Sequence, residues 1–202
     1  MKLIQELKNK RILLVGFARE GVSSLNFLRR HFSKSRIGIF DQKTRLDLDK
    51  KAQKIINKEQ NLILFLTQKD FNDLINISRD FDIIIKSAGI PNKLLPEEII
   101  NKVTTQTAIF FDNFPGLIIG VTGTKGKSTT SSLIYQIIKT SGKKTILLGN
   151  IGAPCLDYID KIDKDRVFIV GDNKAESIDS RQFGWIGINY IVGKVIGAEV
   201  AN

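Results

Sequence analysis

The sequence is short of the residues that staple small proteins together or hold them in a membrane. Its 202 residues include one cysteine, Cys155, one histidine, His31, and one tryptophan. A lone cysteine excludes an internal disulfide, and with a lone histidine it leaves no ligand set for a Cys/His zinc site. No apolar run approaches the roughly 18–20 residues that cross a bilayer. The charged stretch Met1–Arg11 is not followed by the apolar core and small-residue cleavage site of a secretory leader. There is no internal repeat and no low-complexity tract. A soluble, cytoplasmic protein with no membrane segment is the expectation.

What is present suits a packed globule. Hydrophobic residues make up 42% and charged residues 26%, enough apolar material for a core and too little charge for global disorder. The length fits one large domain or two small ones. The net charge is +10 and unevenly spread: residues 165–202 carry −1 and the first 164 carry +11. A basic excess of this kind is either a solvated lysine-rich surface or the complement of an anionic ligand. The aromatics do not interleave with the basic residues in a stacking pattern, which disfavours single-stranded nucleic acid and leaves phosphorylated small molecules open.

The first 110 residues alternate short apolar runs with helix-period segments. Strands are expected at Arg11–Gly16, Arg36–Asp41, Asn61–Leu66 and Phe81–Lys86. A helix is expected around Val22–Phe32, with lysine-rich amphipathic helices at about 48–58 and 69–77. Continuous β-branched strands alternating with helices imply a parallel sheet covered on both faces, a Rossmann-like unit. A second unit begins near Pro115: a strand at Gly116–Val121, a glycine-rich turn, a helix over Thr129–Lys139 stopped by Gly142, and a strand at Lys144–Leu148. After Asp163 the pattern changes to two expected strands, Val167–Val170 and Tyr190–Ile196, joined by a polar stretch. The fold class is therefore α/β: a Rossmann-like domain at 1–114, the start of a P-loop domain at 115–163, and a short β-rich tail at 164–202.

Three turns carry chemistry. Thr122-Gly123-Thr124-Lys125-Gly126-Lys127-Ser128-Thr129 lies between a strand and a helix. Such a loop aims backbone N–H groups and a helix N-terminus at phosphates. Lys127 would reach the terminal phosphates and the Ser128 hydroxyl a Mg²⁺ ion. Valine occupies position 121, where the usual spacing has its first glycine. The second turn, Gly16-Phe17-Ala18-Arg19-Glu20-Gly21, keeps the outer glycines of a dinucleotide fingerprint, and Asp41 ends the next strand where a ribose-binding acid belongs. Nucleotide contact and simple tight helix–strand packing both explain those glycines. The third turn, Lys86-Ser87-Ala88-Gly89-Ile90-Pro91, closes the fourth strand at the edge where open parallel sheets bind ligands.

Together with Leu148-Gly149-Asn150-Ile151-Gly152-Ala153-Pro154, these turns resemble, in order and spacing, the Mur ligases, over about residues 5–162. The resemblance is nearest to the branch that adds D-glutamate to UDP-N-acetylmuramoyl-L-alanine. It implies that Gly16, Arg19, Glu20, Gly21, Asp41, Ser87 and Gly89 hold the UDP part of the substrate and that Asn150 approaches the UDP-sugar. It also implies that Gly123, Thr124, Lys125, Gly126, Lys127, Ser128 and Thr129 bind ATP, with Lys127 as the catalytic cation and Ser128 on Mg²⁺. The implied reaction phosphorylates the substrate carboxylate to an acyl phosphate, which the amino group of D-glutamate attacks. Mur ligases are more than twice this long, and their later metal ligands and amino-acid-binding domain have no counterpart here, so the chain alone is not expected to complete ligation.

Residues 168–194, which contain Gly171-Asp172-Asn173, Ser177, Asp179-Ser180-Arg181 and Phe183-Gly184, are similar instead to the C-terminal box of type I signal peptidases. That resemblance implies a serine, Ser177, orienting a lysine general base, and a supporting ion pair of Asp179 with Arg181. The nucleophilic serine, the lysine and an anchor would all lie upstream, where this chain has none of them. The chain reads as the front of a ligase joined near residues 160–165 to a peptidase tail. A serine protease, a non-catalytic dinucleotide-binding module and a misfolded fragment stand as the alternatives.

Overall fold

A computed structural model describes residues 5, 7–66, 70–114, 116–121, 126–149, 153–161 and 167–171. The first unit runs β1 (Ile12–Val15), α1 (Arg19–His31), β2 (Ile37–Asp41), α2 (Lys50–Lys58), β3 (Leu62–Leu66), α3 (Leu74–Ile77), β4 (Ile83–Lys86), β5 (Val103–Thr105) and α4 (Gln106–Asn113). Its strands form one parallel sheet in the order β3-β2-β1-β4-β5. Side chains alternate across a strand, and both faces of this sheet are sealed. Ile12 and Leu14 of β1 face a core with Leu25, Phe27 and Leu28 of α1. Leu13 and Val15 face a second core with Phe40, Leu74, Phe81 and Ile84.

Local signals account for most of these elements. Asp49 caps α2 by accepting from the Lys51 and Ala52 amides. The amphipathic stretch at 69–77 is broken up instead: a 3₁₀ turn at Phe71–Asp73, the single α-turn of α3, and another 3₁₀ turn at Ser78–Asp80. β5 and α4 do not show in the apolar pattern at all.

The second unit runs β6 (Leu117–Val121), α5 (Lys127–Thr140), β7 (Thr145–Gly149), 3₁₀ turns at Cys155–Asp157 and Ile159–Lys161, and β8 (Val167–Gly171). Its strands are parallel in the order β6-β8-β7. β8, which follows the expected seam at 163–164, is thus the middle strand of the second sheet. The strand expected at Tyr190–Ile196 lies outside the described residues.

The two units share a core. Leu148, Cys155, Leu156 and Ile159 join the cluster around α1. Polar contacts line the same joint: Ser23 Oγ donates to Asp157 Oδ1 at 2.7 Å, Arg30 Nε to Asp160 Oδ2 at 2.8 Å and Arg30 Nη2 to the Leu156 carbonyl at 2.9 Å. Among the described residues no helix is long and apolar enough to cross a membrane.

Candidate functional site

The expected residues of the first unit converge at the carboxyl edge of its sheet. After β1 the chain turns at Gly16, with φ at +86° and its amide donating to the Phe40 carbonyl at 2.8 Å. A Cβ there would lie 2.9 Å from both Ser87 Oγ and Ile90 Cδ1, so only glycine meets the backbone and the space together. A Cβ at Gly21 would collide with the Gly16 carbonyl oxygen. A positive φ with close side chains accounts for Gly16, and close backbone approach for Gly21. α1 starts behind Ala18, which supplies no capping side chain, and Arg19 is exposed at its first position.

Asp41 braces this turn. Its Oδ2 accepts the Phe17 amide at 2.6 Å and its Oδ1 the Lys43 amide at 2.9 Å. A carboxylate has about four lone-pair sites, so each oxygen keeps room for a ligand hydroxyl or N–H. From β4, the Ser87 amide donates to the Val15 carbonyl at 2.8 Å and its Oγ to the Gly16 carbonyl at 3.0 Å. Glu20 Oε2 accepts the Ala88 amide at 2.7 Å. Gly16, Glu20, Gly21, Asp41 and Ser87 thus form one connected edge, and Gly89 stands exposed at the tip of the β4 turn with nothing within 4 Å of its Cβ position.

Sequence reasoning missed the side chains that tie this edge to the rest of the molecule. Gln106 Nε2, at the start of α4, donates to the Glu20 carbonyl at 2.5 Å and to Ser24 Oγ at 2.8 Å. Cys155, from the second unit, has its thiol pushed up to about 12 by burial and then by the charge of Glu20. A thiol so raised is no nucleophile at neutral pH. No local pattern signals Gln106 or Cys155, because their partners are distant in sequence.

In the second unit, Gly126 caps α5 with φ at +74°, without a side-chain hydrogen bond and with open space around its Cβ position. The first-turn N–H groups of a helix lack intrahelical acceptors and favour an anion. Lys127 is buried in that first turn, Ser128 is partly buried and Thr129 is exposed. Ser131 Oγ donates to the Lys127 carbonyl at 2.8 Å, fixing the turn from behind. Gly123, Thr124, Lys125 and Asn150 lie outside the described residues. No group of three or more His, Cys, Asp or Glu among the described residues could hold a metal. Ser128 fits Mg²⁺ only as one ligand of an ion held chiefly by phosphate oxygens and water.

Comparisons with known proteins agree with the ligase resemblance. The chain is 33% identical over 165 residues to a UDP-N-acetylmuramoylalanine–D-glutamate ligase of Clostridium kluyveri, covering 80% of this chain and 34% of the relative. It is 30% identical over 182 residues to the ligase of that name from Alkaliphilus metalliredigens, covering 86% of this chain and 38% of the relative. A Streptococcus pyogenes ligase of the same name is 28% identical over 195 residues, covering 94% of this chain and 39% of the relative. The chain thus spans between a third and two-fifths of the length of these relatives. The family described as signal peptidase, peptidase S26, matches residues 119–198. The two likenesses overlap: the peptidase match starts inside β6, and a ligase match taking in 94% of the chain runs well past residue 165.

Proposed function

Because the chain is similar to UDP-N-acetylmuramoylalanine–D-glutamate ligases over about a third of their length, we propose that it is the substrate- and nucleotide-binding portion of an ATP-dependent ligase of peptidoglycan precursor synthesis. Residues 1–114 bind the UDP part of UDP-N-acetylmuramoyl-L-alanine, with Gly16, Glu20, Asp41 and Ser87 forming the edge that receives it and Arg19, Gly89 and Asn150 at its margin. Residues 115–163 carry the ATP loop, and residues 164–202 the peptidase-like tail. Gly123–Thr129 bind the phosphates, Lys127 neutralises charge on the transferring group, and Ser128 contributes to Mg²⁺. The working compartment is the cytoplasm, where ATP and UDP-sugars are found. D-glutamate is the second substrate of the whole reaction, which residues 1–202 do not complete by themselves. The observation that supports this most is the meeting of Gly16, Asp41 and Ser87 at the carboxyl edge of a parallel sheet, the place where such sheets take nucleotides.

Isothermal titration of the purified chain with UDP-N-acetylmuramoyl-L-alanine tests the reading. Binding is expected, with a loss of at least about tenfold in Gly16→Val, whose side chain would enter the space of Ser87 and Ile90. An intact chain that binds no UDP compound overturns the substrate site. Formation of the D-glutamyl product from ATP by this chain alone overturns its incompetence.

The match at 119–198 favours a second reading, a signal-peptidase-type serine protease. Against it, β6, β8 and β7 are parallel, and the next described element after β6 is a helix opening with Lys127 and Ser128, the strand-to-helix order in which phosphate loops are set. Cleavage of a signal-peptide substrate by the purified chain would establish the protease.

A further inference from the structure

Lys86 is a lysine where the fold has little place for one. It ends β4, paired with Val15 on one side and Thr105 on the other, and only 2% of it is exposed. Alternation along β4 puts it on the same face as Ile84, over the core that holds Leu13, Val15 and Leu95. Lysine is almost never buried unpartnered, because removing an ammonium from water is costly unless hydrogen bonds replace the lost solvation. Its Nζ donates to the Ile90 carbonyl at 2.8 Å. The lysine therefore reaches across the turn it introduces and clasps the far end.

That turn is anchored along its length. The Ile90 amide donates to the Ser87 carbonyl at 3.1 Å, Ser87 Oγ to the Gly16 carbonyl at 3.0 Å, and the Ala88 amide to Glu20 at 2.7 Å. Ile90 also comes against Gly16, where Cδ1 would lie 2.9 Å from an added Cβ. The residue whose carbonyl Lys86 grips is thus one of the two that close on the Gly16 turn.

We propose that Lys86 is a positioning residue for the UDP-substrate edge, its ammonium holding the Ser87–Ile90 turn closed so that Ser87 and Ile90 keep the Gly16 turn in its binding shape. The UDP part of this statement rests on the proposed function; the clasp does not. Lys86 acts through the turn and does not itself touch substrate.

Two measurements on Lys86→Met and Lys86→Gln separate the parts. The first is amide hydrogen exchange in the ligand-free chain. Exchange at Ala88 and Ile90 is expected to rise about tenfold in Lys86→Met, the size of one lost charge-assisted hydrogen bond. Amides of β1 and α1 keep their wild-type rates, and Lys86→Gln, which retains a donor, falls in between. Unchanged exchange at Ala88 and Ile90, or a uniform rise across β1 and α1, overturns the clasp. The second is the affinity for UDP-N-acetylmuramoyl-L-alanine, expected to fall about tenfold in Lys86→Met and to recover partly in Lys86→Gln. A selective exchange change with wild-type affinity overturns the positioning role. If the wild-type chain binds no UDP compound, the proposed function fails, while the exchange arm still decides whether Lys86 holds the turn.

Discussion

The two units of this chain are built from the same βαβ grammar and differ in how much of it is covered. In the first, β1 is sealed on both faces, with no residue more than 1% exposed. In the second, β6 has exposed positions at Leu117 and Gly120, and α5 shows Leu133 and Ile137 to solvent at 58% and 67%. Besides Pro154, the buried apolar residues described from position 116 onward are Leu148, Cys155, Leu156 and Ile159, and these four belong to the core around α1. Five parallel strands with helices on both faces make a core of their own. Among its described residues, the second unit sets its buried apolar side chains against that core.

Core truncation should break this comparison most visibly. Leu14→Ala, at a fully buried position of β1, is expected to cost about 2–5 kcal/mol. Ile137→Ala, largely exposed on α5, should stay within about 0.5 kcal/mol of wild type. Urea unfolding followed by circular dichroism reads both, and equal losses would mean that the exposed face of α5 is covered in solution.

A subtler effect is expected at the joint. Leu156→Ala removes a buried side chain of the second unit from the shared core, and should destabilise that unit preferentially. Hydrogen exchange in α5 would then rise more than exchange in β1, and equal rises would show that the units unfold together. Ser23→Ala removes the donor to Asp157 and should act in the same direction by about 1 kcal/mol.

The smallest effect sharpens the picture of the first unit's rim. Asp82 accepts from the Arg11 guanidinium and then from its backbone amide, which hold its carboxyl at about 2, below its ordinary 3.8. A lowered carboxylate stabilises the fold above its unfolded value, and that stabilisation is lost as pH falls through the folded one. Stability should therefore decline between about pH 4 and pH 2, and Asp82→Asn should flatten that part of the curve. The pair is solvent-exposed, so the change in melting temperature is small; an identical slope in the variant would mean that other carboxylates carry the acid sensitivity.

Much of the first unit was legible because its strands are nearly continuous apolar runs. β1 to β4 fall within the expected segments, while their order, β3-β2-β1-β4-β5, is seen only in the structure. β5 escaped because Val103-Thr104-Thr105 is too short to show a period, and α4 because its apolar residues mark no single clear stripe. The segment at 69–77 had a helical pattern without the length to sustain it. At the candidate site, the glycines, Asp41 and Ser87 stood out by motif. Lys86 belonged to a quoted motif but looked like an ordinary strand-end lysine, and Gln106 had no signal. Their importance comes from partners that lie across a turn or far along the chain.

The sequence by itself determined the parallel first sheet, the glycine turn after β1 and the helix that becomes α5, since each rests on local periodicity or on residues that alone fit a backbone conformation. Tertiary structure decided the place of β8. By composition Val167–Gly171 begins a different kind of segment, yet it lies hydrogen-bonded between β6 and β7. Backbone N–H and C=O groups pair with any strand that meets them in register, and burial requires that they be paired. Which strand fills the gap is settled by the space between two others, and that space exists only once the chain has folded.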